Sequence, residues 1–439
     1  MDRTGRMTRR TLLKAGATGV GIAALGAVPG ASFSQAPAVL RGTRLAILQV
    51  SYFIPAAMEV FKQQAEVWGK ANGVTMAVDF LNSPDLQPKM AAAVFAGGLD
   101  IVNLQPAWNY LYQDNLVDLT AEANVFGQRG GGYEPYVLLS GKVGDRWLSI
   151  PVGFNNYSSN YRISWFKAAG VANAEDSTKL DMTWDEYHAV AKKCKVAGHP
   201  FGLALGHSPG DPPNFCYPYM WAHGAMEVAK DGKTVAFNTP EFVDAMRRFI
   251  QAWKDGYDET GLSWDDSSNN RAFLAGQIAA TLNGSSIYFV AKKENPALAQ
   301  DTNHLLIPRG PAGRFYWLET SSLGILKNSK NIPAAREFLR WWFQDEQYNA
   351  WFRIQDGYQL PPTKKLAADP VWLKDPKMTI FRDQAKYGVN VGYAGPPSEK
   401  AALAVSKYIV VDTFARAVQS GDAKAAVEWG AEQLKRIYT

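Results

Sequence analysis

Cysteine and histidine are scarce in this sequence, numbering two and five among 439 residues. Cys194 and Cys216 have no C-x-x-C spacing, so a dithiol redox motif and a zinc knuckle are both excluded. The pair reads as two reduced, partly buried thiols, with a disulfide between them left open. His188, His199, His207, His223 and His304 are too scattered to declare a metal site. Walker phosphate loops, G-x-S-x-G elbows and H-E-x-x-H helices are missing, and glycine at dinucleotide-binding spacing falls inside the N-terminal leader. These gaps leave little for an enzyme to work with, and they imply neither cofactor nor catalytic residue. An exported cofactor enzyme remains the runner-up class.

Charge of one sign is also lacking. Arg3, Arg6, Arg9, Arg10 and Lys14, against Asp2, account for +4 of the net +5, which leaves +1 for everything after residue 36. A chain so balanced has no electrostatic pull toward nucleic acid or an anionic membrane. No apolar run approaches the roughly 20 residues of a membrane-spanning helix. The longest candidate, Ala15 to Val28, is diluted by glycine and alanine. It follows Thr8-Arg9-Arg10-Thr11-Leu12-Leu13-Lys14 and precedes Ser34-Gln35-Ala36, the small residues a signal peptidase needs. Residues 1–36 therefore read as a twin-arginine export signal cleaved near Ala36, and the remainder as a folded periplasmic protein.

What the sequence does contain is periodicity and aromatic residues. At 439 residues the chain exceeds the size at which one core stops growing, so two domains are expected. Leu45 to Val50 reads as a buried strand, and Ala57, Phe61, Ala65, Trp68 and Ala71 recur at helical spacing up to Asn72-Gly73. Val74 to Leu81 is a second strand, Leu86 to Ala96 a helix, and Leu99 to Leu104 a third strand. Strands alternating with helices imply a parallel, doubly wound sheet, with ligands received beyond the carboxyl ends of the strands. The residues at those exits are Ser51, Tyr52 and Phe53, then Asn82, Ser83 and Asp85, then Gln105, Trp108 and Asn109.

Further along, Trp147 to Ile150 reads as a short strand ended by Pro151-Val152-Gly153, where the chain can leave one sheet for another. The polar run Asn155 to Asn160 follows. Thr183 and Glu186 form a capping box for a helix from Trp184 to Val196, and Phe201 to Leu205 is a strand. Pro209 to Trp221 reads as an aromatic-rich loop, and Thr239-Pro240-Glu241 starts a helix running to Lys254. Phe273 to Gly284 gives a helix, a glycine turn and a short strand that delivers Asn283 and Gly284 to a strand end.

Several of these stretches resemble the family-one extracellular solute-binding proteins, the maltose-binding-protein-like receptors of ABC importers. The resemblance is carried by Pro151 with Asn160-Tyr161-Arg162-Ile163-Ser164-Trp165-Phe166, by Thr183-Trp184-Asp185-Glu186, and by Phe273 to Gly284. Leu305-Leu306-Ile307-Pro308 is similar to the family's second crossing, and Gly357-Tyr358-Gln359-Leu360-Pro361 to its glycine-x-x-proline turn. Asn328 to Phe343 and Ala415 to Ile437 are similar to its later helices. Gly98-Leu99-Asp100 departs from it by lacking the alanine and proline usual there.

The resemblance implies an α/β, periplasmic-binding-protein-like fold of two doubly wound domains joined by a hinge, with the ligand cleft between them. Residues 37–151 and 304–334 would form one lobe, and 152–303 and 335–439 the other. It implies a monomeric receptor that passes a small molecule to ABC permease subunits in the inner membrane. The candidate ligand-binding residues are Tyr52, Ser83, Gln105, Trp108, Asn155, Tyr157, Tyr217, Tyr219, Trp221, Asn283, Gly284, Trp317, Glu319 and Tyr358. A set rich in Asn, Ser, Gln, Tyr and Trp suits a neutral carbohydrate or polyol. A polyamine or phosphorylated polyol is the alternative, and an acidic or an arginine-rich cleft would mark which.

Overall fold

The computed structural model describes residues 41–318 and 320–439. The expected export signal, residues 1–36, lies outside the described residues, as does the candidate Glu319.

The strand-helix alternation at the start folds as its periodicity predicts. Strands β1 (Arg44–Val50), β2 (Thr75–Leu81) and β3 (Ile101–Leu104) are connected by helices α1 (Pro55–Asn72) and α2 (Ser83–Ala96). β1 pairs in parallel with both β2 and β3. α1 buries Ala57, Phe61, Ala65 and Trp68, whose spacing puts them on one face. Phe61 meets Phe80, Phe338 and Trp342 edge-on, with ring centroids 5.2–6.2 Å apart.

Later chain completes this sheet. β4 (Ile150–Asn155), β9 (Ser321–Ile325) and β10 (Gln359–Leu360) join it in the order β10-β4-β9-β3-β1-β2. β9 lies antiparallel between β3 and β4. Gly153 in β4 has φ +107°, and a Cβ there would lie 2.3 Å from the Leu360 carbonyl oxygen, so only glycine fits this irregular pairing. A second sheet has the order β6-β5-β7, from β5 (Ser158–Arg162), β6 (Ala280–Asn283) and β7 (Thr302–Leu305), with β5 antiparallel to both neighbours. β8 (Tyr316–Trp317) pairs in parallel with β11 (Gly388–Val389). The fold is α/β and periplasmic-binding-protein-like.

Several local expectations are corrected. The strand expected over Trp147 to Ile150 begins only at Ile150 and runs on through Asn155. The polar run is not a loop beyond Tyr157: Ser158, Ser159 and Asn160 form the start of β5 and are fully buried. Their polarity survives burial because each side chain is paired. Ser158 Oγ lies 2.9 Å from Tyr316 Oη, Ser159 Oγ 2.8 Å from Tyr187 Oη, and Asn160 Nδ2 donates to the Asn283 carbonyl at 3.0 Å. Phe201 to Leu205 makes only single bridges, Phe201 to Tyr257 and Gly202 to Thr281.

The largest difference is Pro209 to Trp221. Asp211–Ala222 is a helix, and every one of its residues is buried. A stretch rich in proline and aromatics reads as a loop, yet Pro212 and Pro213 sit in the first turn, where the missing N–H groups have no intrahelical partner anyway, and the helix runs on through Pro218. Its apolar run has no polar face because it has no solvent face. Around it pack the helices Trp184–Val196, Pro240–Gly256 and Ile409–Ser420. The capping box at Thr183 forms with both reciprocal bonds, Glu186 N–H to Thr183 Oγ1 at 3.2 Å and Thr183 N–H to Glu186 Oε2 at 2.7 Å. Cys194 and Cys216 are free and buried, and burial pushes the Cys194 thiol up to about 11.

Candidate functional site

Strand ends and two helix starts converge on a cleft of about 60 Å³. Phe53 follows β1, Ser83 opens α2, and Gln105 and Pro106 follow β3. Opposite them lie Asn156 and Tyr157 between β4 and β5, Asn283 and Gly284 at the end of β6, and Tyr358 just before β10. Pro209, Gly210, Asp211 and Asn214 bring in the start of the buried Asp211–Ala222 helix, with Phe154 and Asp266 beside them. The ends of β1, β3 and β6 are carboxyl ends, where open α/β sheets receive ligands.

Each wall is held by hydrogen bonds that lead away from the cleft. Gln105 Nε2 donates to Asn103 Oδ1 at 2.6 Å, and Asn103 Nδ2 donates to Gln49 Oε1 at 3.0 Å. Tyr52 closes that relay by donating to the same Gln49 oxygen at 3.2 Å. The Tyr157 hydroxyl donates to the Asp211 carbonyl at 3.2 Å, and its amide N–H to Gln384 Oε1 at 3.0 Å. At Gly284 the backbone comes so close to the crossing that a Cβ would lie 2.9 Å from the Asn156 carbonyl oxygen.

The helix start is built from carboxylates. Pro212 and Pro213 supply no N–H, and Asp266 accepts from the two amides that remain, Gly210 at 3.2 Å and Asp211 at 2.7 Å. Asp211 Oδ2 accepts from Asn269 Nδ2 at 2.6 Å and Asn283 Nδ2 at 2.8 Å. Asn283 is in turn bonded to Asn269 and Asn270. Burial, and then the neighbouring Asp266, hold the Asp211 carboxyl well above the usual carboxylate range. Asp266 is raised as well, chiefly by burial. Among the described residues no group of three His, Cys, Asp or Glu side chains could hold a metal ion, and no helix is long and apolar enough to cross a membrane.

Six of the sequence candidates line this cleft: Ser83, Gln105, Tyr157, Asn283, Gly284 and Tyr358. Asn155 contributes its backbone to β4, opposite Gln359. The remaining aromatic candidates are packed elsewhere. Tyr52 is buried against Phe80 and Trp351, and Trp108 against Tyr112. Tyr217 lies between Trp221 and Trp317, with centroids 5.6 and 5.7 Å away, and Tyr219 packs on Trp184 and donates to the Ala245 carbonyl at 3.0 Å. None of these lines the cleft: Tyr217, Tyr219 and Trp221 lie on the buried part of the Asp211–Ala222 helix beyond its cleft-facing start, and Tyr52, Trp108 and Trp317 pack into the core beside their strands.

The sequence reading left Asp211, Asn214, Asp266, Phe154, Pro106, Pro209 and Gly210 out of the candidate set, and it noted Phe53 and Asn156 without selecting them. The Asp-Pro-Pro start of a run that is apolar and aromatic apart from Asn214 is the signal that could have found Asp211. For Asp266, which is brought in by a loop from a distant stretch, no local signal exists.

The fold matches solved structures over nearly the whole chain at low identity. A maltose-bound MalE3 from T. maritima is 18% identical with TM-score 0.75, the match covering 90% of this chain and 99% of that one. An ABC transporter solute-binding protein from Agrobacterium radiobacter in complex with ribitol is 19% identical with TM-score 0.73, covering 91% and 100%. One from Thermotoga lettingae bound with alpha-D-tagatose is 16% identical with TM-score 0.77, covering 90% and 100%. No curated protein matches the chain. Residues 60–380, most of the sequence and all of the cleft residues but Phe53, match the model of a bacterial extracellular solute-binding protein, and the chain belongs to that family.

Proposed function

We propose that the protein is the substrate-binding component of an ABC importer, capturing a carbohydrate or polyol outside the inner membrane and presenting it, as a monomer, to permease subunits. The observation that carries this reading is the lining of the cleft. Ser83, Gln105, Asn156, Tyr157, Asn214, Asn283 and Tyr358 line it with neutral polar side chains, and Phe53 and Phe154 supply apolar faces beside them. Hydroxyl edges and C–H faces of a sugar ask for that mixture. Maltose, ribitol and tagatose in proteins of the same fold support the class. Lysine, arginine and histidine do not line the cleft, which removes support from a phosphorylated polyol.

In this reading the sheet built on β1 moves with one lobe and the sheet β6-β5-β7 with the other. Residues 152–155 and 335–360, expected in the second lobe, go with the first, because β4 and β10 pair into its sheet and Phe338, Trp342 and Trp351 pack on Phe61 and Tyr52. The pairing of Ile150–Asn155 with β9 and β10 supports placing the turn of the crossing at Asn156-Tyr157. Delivery to the periplasm through the twin-arginine signal fits an extracellular solute-binding family.

Thermal denaturation of the protein against sugars, polyols, amines and phosphates tests the class. A sugar or polyol at about 100 times its dissociation constant should add roughly 2.7 kcal/mol of stability. Stabilisation by phosphates alone would refute the proposal.

A further inference from the structure

We propose that the captured solute carries a basic amine, so that an amino sugar or amino polyol, with its ammonium on Asp211 Oδ1, is the preferred ligand class. This rests on the carbohydrate reading of the cleft and narrows it.

Asp211 lines the cleft with 6% of its surface exposed. Its Oδ2 is occupied by Asn269 and Asn283, whereas Oδ1 accepts no hydrogen bond from the described residues. The oxygen is thus left open at the edge of the ligand space. The second carboxylate of the cleft, Asp266, is consumed by the Gly210 and Asp211 amides at the helix start. Two acidic groups therefore stand in a lining that contains no lysine, arginine or histidine. Carboxylates removed from water are stable only when paired, and here the protein offers amides alone.

A neutral hydroxyl could pair with Asp211 Oδ1, yet it does nothing to stabilise the ionised form of a carboxyl that burial holds well above the usual carboxylate range. A ligand anion would be repelled by both carboxylates. An ammonium supplies the donor and the charge together, in a medium where Coulomb attraction is several times stronger than in water. The rings of Phe53, Phe154 and Tyr358 in the same lining also favour a cation over an anion, since an aromatic face is electronegative. The titratable groups around Asp211 are Asp266 and Asp265 on the neighbouring loop and the phenols of Tyr157 and Tyr358. None of them supplies a positive charge at neutral pH.

The experiment compares matched probes by calorimetry on the purified protein: glucosamine, galactosamine, mannosamine and the amino-deoxy form of sorbitol, each against its hydroxyl parent. The N-acetyl hexosamines remove the charge while keeping the nitrogen, and putrescine keeps charge without hydroxyls. At least one amine should bind roughly ten- to a hundredfold more tightly than its parent and its N-acetyl form, the range of a hydrogen bond to a charged group. Asp211→Asn should abolish that preference. In the unsubstituted protein, amine affinity should rise with pH from about pH 5 to about pH 7, because the ammonium favours ionised Asp211 and displaces its proton, and should fall again once the amine loses its own proton at about pH 8. Parent sugars binding as well as the amines, or an amine affinity indifferent to pH, would overturn the inference and leave the carbohydrate reading standing. Binding of putrescine alone would overturn the carbohydrate reading, and silence from every probe would overturn both.

Discussion

Asn156 and Ser285 are bonded to each other twice. Ser285 N–H donates to Asn156 Oδ1 at 2.8 Å, and Asn156 Nδ2 stands 2.8 Å from Ser285 Oγ. The same Nδ2 donates to the Gly357 carbonyl at 2.8 Å, and the Asn156 amide to the Tyr358 carbonyl at 3.0 Å. One buried side chain thus fastens the crossing between the two sheets to the turns that carry Gly284 and Tyr358 into the cleft. Asn156→Ala strands the Ser285 amide and the Gly357 carbonyl without partners. The expected loss is roughly 3 kcal/mol of stability, readable by urea denaturation. A loss below about 0.5 kcal/mol, the low end for one net hydrogen bond, would show that the fastening is slack.

Trp317 tests whether an aromatic residue near a strand end faces ligand or core. Its side chain is 3% exposed, its indole N–H meets no acceptor among the described residues, and Tyr217 stacks at 5.7 Å. Trp317→Ala should cost about 3–5 kcal/mol of ligand-free stability, the range for removing a large core ring. An unchanged melting temperature with weakened sugar binding would return Trp317 to the cleft wall.

The acid limb of stability should report two buried histidines. Burial lowers both His188 and His304 from 6.5 to about 3, so each stays neutral in the fold while the unfolded chain takes up a proton. A depressed folded-state value means stability is full above 6.5 and is lost as pH falls toward about 3. The slope should approach about 1.4 kcal/mol per pH unit for each histidine. His304 sits among the rings of Tyr288 and Phe381. Replacing it with leucine should flatten the slope between about pH 6 and pH 4, the window in which the unfolded histidine takes up its proton. An unaltered slope would mean that His304 is protonated in the fold.

Export is testable apart from binding. Replacing Arg9 and Arg10 together by lysine should leave precursor in the cytoplasm if the pair is read by the twin-arginine pathway. Undiminished processing to the mature form would exclude that route.

The legible parts of the fold were those with local periodicity. α1 with its Ala57-Phe61-Ala65-Trp68 stripe, the flanking strands and the Thr183 capping box all announce themselves within a few residues. The illegible parts share one cause: their environment is supplied by distant chain. Ser158 to Asn160 look like a loop until Tyr316, Tyr187 and Asn283 are present to satisfy them. The aromatic residues of the Asp211–Ala222 helix look like cleft walls until the Pro240–Gly256 and Ile409–Ser420 helices surround them. Strand-end geometry placed Ser83, Gln105 and Asn283 at the cleft, because that rule depends on topology alone.

The position of β9 sets an order of events during synthesis. Leu104 in β3 finds its partner at Ser322, and Ile150 in β4 finds its own at Leu323. Until the ribosome has delivered residues 321–325, β3 and β4 each present an open edge that no nearby segment fills. Such distant pairing makes closure of the sheet slow and late. A nascent chain halted before Ser321 would hold the three strands β3-β1-β2 and an unpaired β4, both ready to pair with another molecule, so this one short strand decides when the polypeptide stops being sticky.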